Sequence, residues 1–261
     1  MLKHNKPSVL QDHHHPAMPV SSRFVNYPGG YITPLHRHTL AQLIYAVEGV
    51  MVVSSDVGQW IVPPTRGIWM PALTDHTVRM VGAVAMRSLY IEPDAIADLP
   101  QHCRTVVISD LLRQLILSAM TVSGDYATDS RGGRLMRLIL DELIFLPVLP
   151  LHLPRPNHPY LQPICQQISD LPDDNKTLIE WAAIIGVNAK TLQRLFAQET
   201  GMTFGRWRQQ ARLLIALERL AMGERILDVA LNLGYDSPSA FAAMFKKHLG
   251  VAPSEYFSHR P

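Results

Sequence analysis

Cysteine is scarce: Cys103 and Cys165 are the only two in 261 residues. That is too few for a disulfide scaffold, and the pair lacks the C-x-x-C spacing of a zinc or redox site. Long apolar runs are missing as well. The most apolar stretch, Leu138 to Leu151, is broken by Asp141, Glu142, Pro147 and Pro150, well short of the roughly 18 uninterrupted residues that a membrane span needs. The first twenty residues carry Lys3, Lys6, Asp12 and four histidines without an apolar core, which argues against a signal peptide and for a cytoplasmic protein with no membrane partner. No Gly-rich phosphate loop, G-x-S-x-G elbow or acid–base carboxylate pair is present, so hydrolytic chemistry is not expected. Excess charge is also small. With a net charge of +2, any affinity for nucleic acid must come from locally placed Lys and Arg.

What is present fits a well-packed globular chain: 47% of residues are hydrophobic and 18% charged, and the length allows one large or two modest domains. Six prolines between Pro147 and Pro163 oppose helix and favour an extended spacer. The expected division is a flexible tail over 1–19, a first domain over 20–146, a linker over 147–163 and a second domain over 164–261. Within the tail, Asp12-His13-His14-His15 has metal-binding residue types, but such terminal tracts more often do nothing. Residues 20 to 92 alternate short Val, Ile, Tyr and Trp runs with Gly and Pro, the pattern of a small sandwich or barrel. The period becomes helical from Val106. Leu111, Leu112, Leu115, Ile116 and Met120 form one stripe; Leu135, Ile139, Leu143 and Leu146 form another. The two helices should make an antiparallel hairpin whose spare apolar residues, Leu117 and Leu138, belong either to an internal core or to a homodimer interface.

The last ninety residues contain one helical message written twice. Leu178, Ala182, Ile185 and Gly186 recur 48 positions later as Ile226, Ala230, Leu233 and Gly234, and Phe196 and Gly201 recur 49 later as Phe245 and Gly250. Each copy reads as helix, glycine turn, helix, the organisation of a helix-turn-helix unit. In the first copy, Thr177 and Glu180 have capping-box spacing, Asn188 suits the N-cap of the second helix, and Leu192, Leu195 and Phe196 form its buried stripe. Lys190, Gln193, Arg194 and Gln198 are left outward. Arg can pair with guanine and Gln with adenine in the major groove, so Lys190, Gln193 and Arg194 are candidate base readers, Gln193 and Arg194 foremost.

In the second copy, Ser237 caps a helix starting at Pro238, and the outward face offers Ser239, Ala240 and Ala243. These short side chains suit thymine methyls or simple positioning, while Lys246 and Lys247 suit phosphates. Between the copies, Thr203 should cap a long helix from about Phe204 to Ala221. Five cations, including Arg206, Arg208 and Arg212, face Glu199 alone across 188–213, and these three arginines are further candidate phosphate contacts. The first unit should therefore dominate sequence specificity.

The segments TLQRLFAQETG (Thr191 to Gly201) and DVALNLGYDSPSAFAAMFKKHLGVAPSEY (Asp228 to Tyr256) carry a specific resemblance. Residues 176–257 resemble the DNA-binding domain of the AraC/XylS family of bacterial transcription regulators. Ala243 stands where family members often carry Arg or Gln, a departure that moves base reading toward the first unit. Upstream, HRHTLAQ (His36 to Gln42), Gly49 and PPTRGIWMPALTDH (Pro63 to His76) are similar to the two cupin motifs, with Gln42 at the position of the cupin Glu. The likeness implies that His36, His38, Gln42 and His76 converge inside a barrel. Those residue types suit an organic ligand or, at His36, His38 and His76, a divalent metal, the missing carboxylate disfavouring hard cations. Trp60, Trp69 and Met70 are candidate cavity walls.

The expected fold class is thus α+β in two domains: a cupin-like barrel with a helical hairpin, then an all-α domain with two helix-turn-helix motifs on a long helix. The resemblance implies a non-enzymatic transcription regulator whose partners are a double-stranded DNA operator, a small-molecule effector in the barrel, a second copy of the chain and RNA polymerase, with no certain cofactor. The competing expectations are a metal-dependent cupin enzyme tethered to DNA and a ligand-free DNA binder.

Overall fold

The computed structural model describes residues 8–9, 18–64, 66–95, 97, 99–144, 146–149 and 151–256; the Asp12 to His15 tract lies outside them. The chain divides into two compact units, one of Met1–Asp56 with Trp60–His152 and the other of Val57–Gln59 with Leu153–Pro261.

The first unit contains β1 (Ser8–Val9), β2 (Val20–Tyr27), β3 (His36–Arg37), β4 (Ala41–Ala46), β5 (Val50–Ser55), most of β6 (Gly58–Val62), which begins at the division, β7 (Arg66–Met70), β8 (Thr77–Val81), β9 (Val84–Ile91), β10 (Arg104–Val107) and β11 (Val148–Leu149). One sheet runs β11-β10-β7-β4-β9-β2, and β6-β5-β8 are neighbours in another. Every residue of β4 is buried, because the six-stranded sheet is covered on both faces. Ala41, Leu43 and Tyr45 pack with the helical hairpin, whereas Ile44 and Ala46 pack with Trp60, Ile68, Met70 and Met80 in a second core. Strands covered on both sides read as unbroken apolar runs. That is why strand periodicity is weak across this region.

The hairpin consists of α1 (Asp110–Ala119) and α2 (Arg131–Ile144). Its start differs from the expected one: Val106 belongs to β10 and pairs with Gly67 of β7. The helix begins only after Ser109, whose hydroxyl accepts the Leu112 N–H. Leu112, Ile116 and Ala119 are the buried residues of α1, and Leu111, expected on that stripe, is exposed. On α2 the buried side is Met136, Ile139, Leu140 and Leu143, with Leu135 only partly covered. Side-chain type alone favours Leu135; packing into the core shared with α1 and the sheet selects the neighbouring face that carries Met136 and Leu140. Leu138 is exposed.

The second unit is helical: α3 (Gln162–Asp170), α4 (Leu178–Ile185), α5 (Ala189–Thr200), α6 (Phe204–Ala221), α7 (Ile226–Asn232), α8 (Pro238–Leu249) and α9 (Pro253–Tyr256). Helix α3 begins inside the expected spacer, whose last proline is Pro163. That proline occupies the first turn of α3, where a missing N–H costs nothing. Strand β12 (His152–Pro154) falls at the division between the units.

Candidate functional site

The first helix-turn-helix unit is built by α4, Gly186 and α5. Thr177 and Glu180 form a complete capping box: the Glu180 carboxylate accepts the Thr177 N–H at 2.6 Å, and Glu180 N–H donates to Thr177 Oγ1 at 3.3 Å. The helix closes at Gly186, whose φ of +78° is left-handed. Asn188 Oδ1 accepts the Lys190 N–H and starts α5. Leu192, Leu195 and Phe196 anchor α5 in the core, which leaves Lys190, Gln193, Arg194, Ala197 and Gln198 exposed. Arg194 Nη1 donates to Gln198 Oε1 at 2.8 Å. The contact holds the guanidinium along the outward face and leaves most of its five N–H donors for other acceptors.

In the second unit, α7 ends beside Gly234 (φ +72°), and Ser237 Oγ accepts the Ala240 N–H to start α8. Phe241, Met244 and Phe245 are buried, while Ser239, Ala240, Ala243, Lys246 and Lys247 are exposed. Helix α6 connects the units over 18 residues, about 27 Å at 1.5 Å per residue. Thr203 caps it by accepting the Arg206 N–H.

The arginines of α6 are not equivalent. Arg206 is exposed. Arg208 is half-buried over the Phe204 ring and donates to the Lys176 carbonyl at 2.8 Å. Arg212 is 7% exposed and its guanidinium is consumed inside the protein. Nε donates to Pro172 O at 2.7 Å, and Nη2 donates to Asn175 Oδ1 at 2.9 Å and Asp174 O at 3.2 Å. Against the expectation of a phosphate contact, Arg212 is an internal tie and not an outward cation. Counting charge along 188–213 could not separate the outward arginines from the inward one. The sequence did contain a signal, since Arg212 sits one residue after Ala211 on the buried stripe of α6.

In the first unit, His36, His38 and His76 converge. The strand period of two puts His36 and His38 on one side, and His76 lies opposite His36, with His36 N–H donating to His76 O at 3.1 Å and His76 N–H donating to His36 O at 2.8 Å. Leu73 N–H donates to His38 O at 2.7 Å, so the preceding loop is laced to the same segment. Leu73 itself sits at φ +61°, a region that costs a branched residue energy and is retained where surroundings impose it. All three imidazoles are at most 4% exposed, and one ring nitrogen of each lies within 4.8 Å of the others.

His36 Nδ1 is 2.7 Å from Pro34 O, and His76 Nδ1 is 2.9 Å from Thr74 O. A carbonyl only accepts, so both rings carry a proton on Nδ1, and the neutral His76 ring presents Nε2 as an acceptor. Burial pushes the His76 pKa down to about 4, against the raising effect of the Thr74 hydrogen bond and with a further lowering from His36 and His38. His76 is neutral at pH 7. No hydrogen-bond partner is found among the described residues for its Nε2, nor for Gln42 Oε1.

Gln42 is buried and donates through Nε2 to Ser88 Oγ at 3.2 Å. It pairs with Tyr90 across β4 and β9, and the Tyr90 ring meets the His38 ring edge-on at 5.0 Å. Ser88, Tyr90 and the carbonyls of Pro34 and Thr74 were not singled out from the sequence, because no motif spacing marks them. Of the candidate walls, Trp60 and Met70 belong to the core between the sheets. Trp69 faces the hairpin core and donates Nε1–H to Pro100 O at 2.8 Å. Adjacent strand residues point to opposite faces, so Trp69 and Met70 could not both line one cavity. Burial raises the Cys103 thiol to about 11 and the Cys165 thiol to about 12, so both are protonated at pH 7.

A β-rich unit with a buried polar cluster, followed by two helix-turn-helix units on one connecting helix, defines a DNA-binding transcription regulator with an N-terminal ligand-binding domain. Residues 19–145 match the AraC-like ligand binding domain and residues 181–259 match a helix-turn-helix domain. The chain is 35% identical over 226 residues to the HTH-type transcriptional regulator NimR of Escherichia coli (strain K12), covering 87% of this chain and 82% of that protein. It is 28% identical over 204 residues to the arabinose operon regulatory protein of Salmonella typhimurium, covering 76% and 65%. It is 35% identical over 97 residues to the regulator RipA of Corynebacterium diphtheriae, covering 37% and 29%. The chain belongs to the AraC/XylS family of transcription regulators. Among the described residues, no helix is long and apolar enough to cross a membrane.

Proposed function

We propose that this regulator reads its operator mainly through α5, with Gln193 and Arg194 contacting bases and Lys190 beside them. Ser239, Ala240 and Ala243 of α8 make short-range base contacts, while Arg206, Arg208, Lys246 and Lys247 hold phosphates. The observation that carries this reading is the unequal chemistry of two equally exposed faces, polar and cationic on α5 and small on α8. Binding of the full chain to an operator selected from random duplex DNA tests it. Single-base substitutions under α5 should cost more affinity than those under α8, and the reverse ranking refutes the assignment.

The barrel then acts as the sensor, and His36, His38, Gln42 and His76 are its ligand site. What favours a divalent transition metal over a purely organic ligand there is the direction of the ring nitrogens. His76 presents a buried Nε2 lone pair, one ring nitrogen each of His36, His38 and His76 lies within 4.8 Å of the others, and imidazole suits zinc, nickel, copper and iron. A cation can satisfy several converging acceptors at once. Three imidazoles would leave further coordination positions for an effector with an oxygen or nitrogen donor. Full-length protein stripped by a chelator should regain one zinc per chain by elemental analysis. His76→Gln should abolish that uptake, whereas replacing His13, His14 and His15 with Ala should not. Uptake that follows the tail histidines overturns the metal reading and leaves the organic ligand.

Exposed Leu111 and Leu138 on the hairpin support a homodimer formed through α1 and α2. The dimer would act in the cytoplasm, at an operator where it meets RNA polymerase. Sedimentation of Leu138→Glu should show a monomer; an unchanged dimer places the interface elsewhere. Operator binding by the chelator-stripped protein, without turnover of candidate substrates after metal loading, would eliminate the tethered-enzyme alternative.

A further inference from the structure

The two turn glycines occupy matching positions in the duplicated units but meet different surroundings. A Cβ built on Gly186 meets nothing within 4 Å, whereas one on Gly234 meets Asp173 Cα and O at 3.0 Å and Arg212 Nη2 at 3.1 Å. The turn of the second unit is therefore seated on the Pro172 to Asn175 loop, which leads directly into α4 of the first unit. Arg212 closes this seat. It donates to Pro172 O, Asp174 O and Asn175 Oδ1 of the loop, and its guanidinium carbon lies 5.9 Å from the centre of the Tyr235 ring, one residue after Gly234.

The loop is itself organised. Lys176 Nζ bonds Asp174 Oδ2 at 2.6 Å and lies over the Trp181 ring of α4, and Arg208 donates to Lys176 O. Movement of the loop would thus carry the entry of the first unit with it.

We infer that Arg212 is a positioning residue that fixes the separation and rotation of α5 relative to α8, and so sets the spacing of the two DNA segments that the chain can occupy together. One buried guanidinium joins three parts of the domain: the loop before α4, the connecting helix α6 and the turn before α8. Only a planar fork with donors in fixed directions can serve the carbonyls from one side and stack on an aromatic ring from the other; an ammonium is a single point charge on a flexible stem. Glycine is needed at 234 for its left-handed φ, as at 186, and additionally because backbone approaches from outside. The inference rests on the reading that both α5 and α8 touch DNA.

The test uses the full-length chain and an operator selected from random duplex DNA, re-synthesised with one or two base pairs inserted or deleted between the segments protected by α5 and by α8. Wild type should show a sharp optimum, losing at least about thirtyfold in affinity for a one-base-pair change, since such a change also rotates the second segment about the DNA axis. Arg212→Lys should lose affinity at the optimum while retaining it at the altered spacings, so that the preference falls below about fivefold. Asn175→Ala, which removes one acceptor from an exposed position, should flatten the profile to a lesser degree with the fold intact. The salt dependence of binding should stay unchanged in both variants, because no phosphate contact is lost.

A uniform loss at every spacing would mean that Arg212 only stabilises the domain, and a reduced salt slope would mean that it touches phosphate; either overturns the proposal. A wild-type protein indifferent to spacing would instead refute the contact of both helices with DNA.

Discussion

The two helix-turn-helix units share a scaffold and differ in what they offer outward. Helices α5 and α8 are both capped by an Asn or Ser side chain, both end at a left-handed glycine, and both bury a phenylalanine, Phe196 or Phe245, at the same point of the repeat. Yet α5 exposes Lys190, Gln193 and Arg194, while α8 exposes Ser239, Ala240 and Ala243. Gly186 faces open space where Gly234 is enclosed. The buried half of each unit repeats the geometry and the exposed half differs, polar and cationic on α5 and small on α8, and on that difference rests the proposed division between base reading and positioning.

The largest expected effect tests the equivalence of the scaffolds. Phe196→Ala and Phe245→Ala remove fully buried rings and should each destabilise the domain by about 3–5 kcal/mol, measured by urea unfolding. A cost below about 1 kcal/mol for one of them would break the symmetry of the cores. The turns should then separate the copies. Gly186→Ala should cost about 1–2 kcal/mol for the left-handed backbone alone, and Gly234→Ala roughly 1–3 kcal/mol more for overpacking against Asp173. Equal losses would show that the enclosed seat relaxes freely.

Binding differences come next. Arg194→Ala should weaken the operator complex by about 1–3 kcal/mol and relax preference at one base pair, whereas Ser239→Ala should stay within about 0.5 kcal/mol. If Arg194→Ala weakens random DNA equally, the residue holds phosphate. The smallest effect is expected for Lys247→Ala: a uniform weakening across sequences, with the salt slope reduced by about one.

Much of this was legible because local signals agree. Thr177 with Glu180, Asn188, Thr203 and Ser237 with Pro238 announce helix starts, and the glycines that follow announce turns, through chemistry confined to a few residues. The barrel was harder to read. Strands β4 and β7 lie between two layers, so alternation is erased, and Trp69 beside Met70 gives no local sign of which residue faces the hairpin and which the core between the sheets. Val106 resembles helix because it adjoins an apolar helix, but its backbone pairs with Gly67 of β7, 39 residues upstream, and with Val148 of β11, 42 residues downstream.

By itself, the sequence determined the double helix-turn-helix repeat, its caps and turns, the outward chemistry of α5 and α8, and the three histidines that form the barrel cluster. The repeat, caps, turns and outward faces depend on periodicity and on residue types acting within a turn or two, whereas the convergence of His36, His38 and His76 was implied by the likeness to the cupin motifs. Only the tertiary structure decided that Arg212 is withdrawn from solvent, that Gly234 rests on the loop before α4, and that Pro34 and Thr74 fix the ring protons of His36 and His76. The first two depend on which distant backbone groups come into contact and the third on how the chain bends within two residues of each imidazole, and a charge count or a helical period carries no information about either.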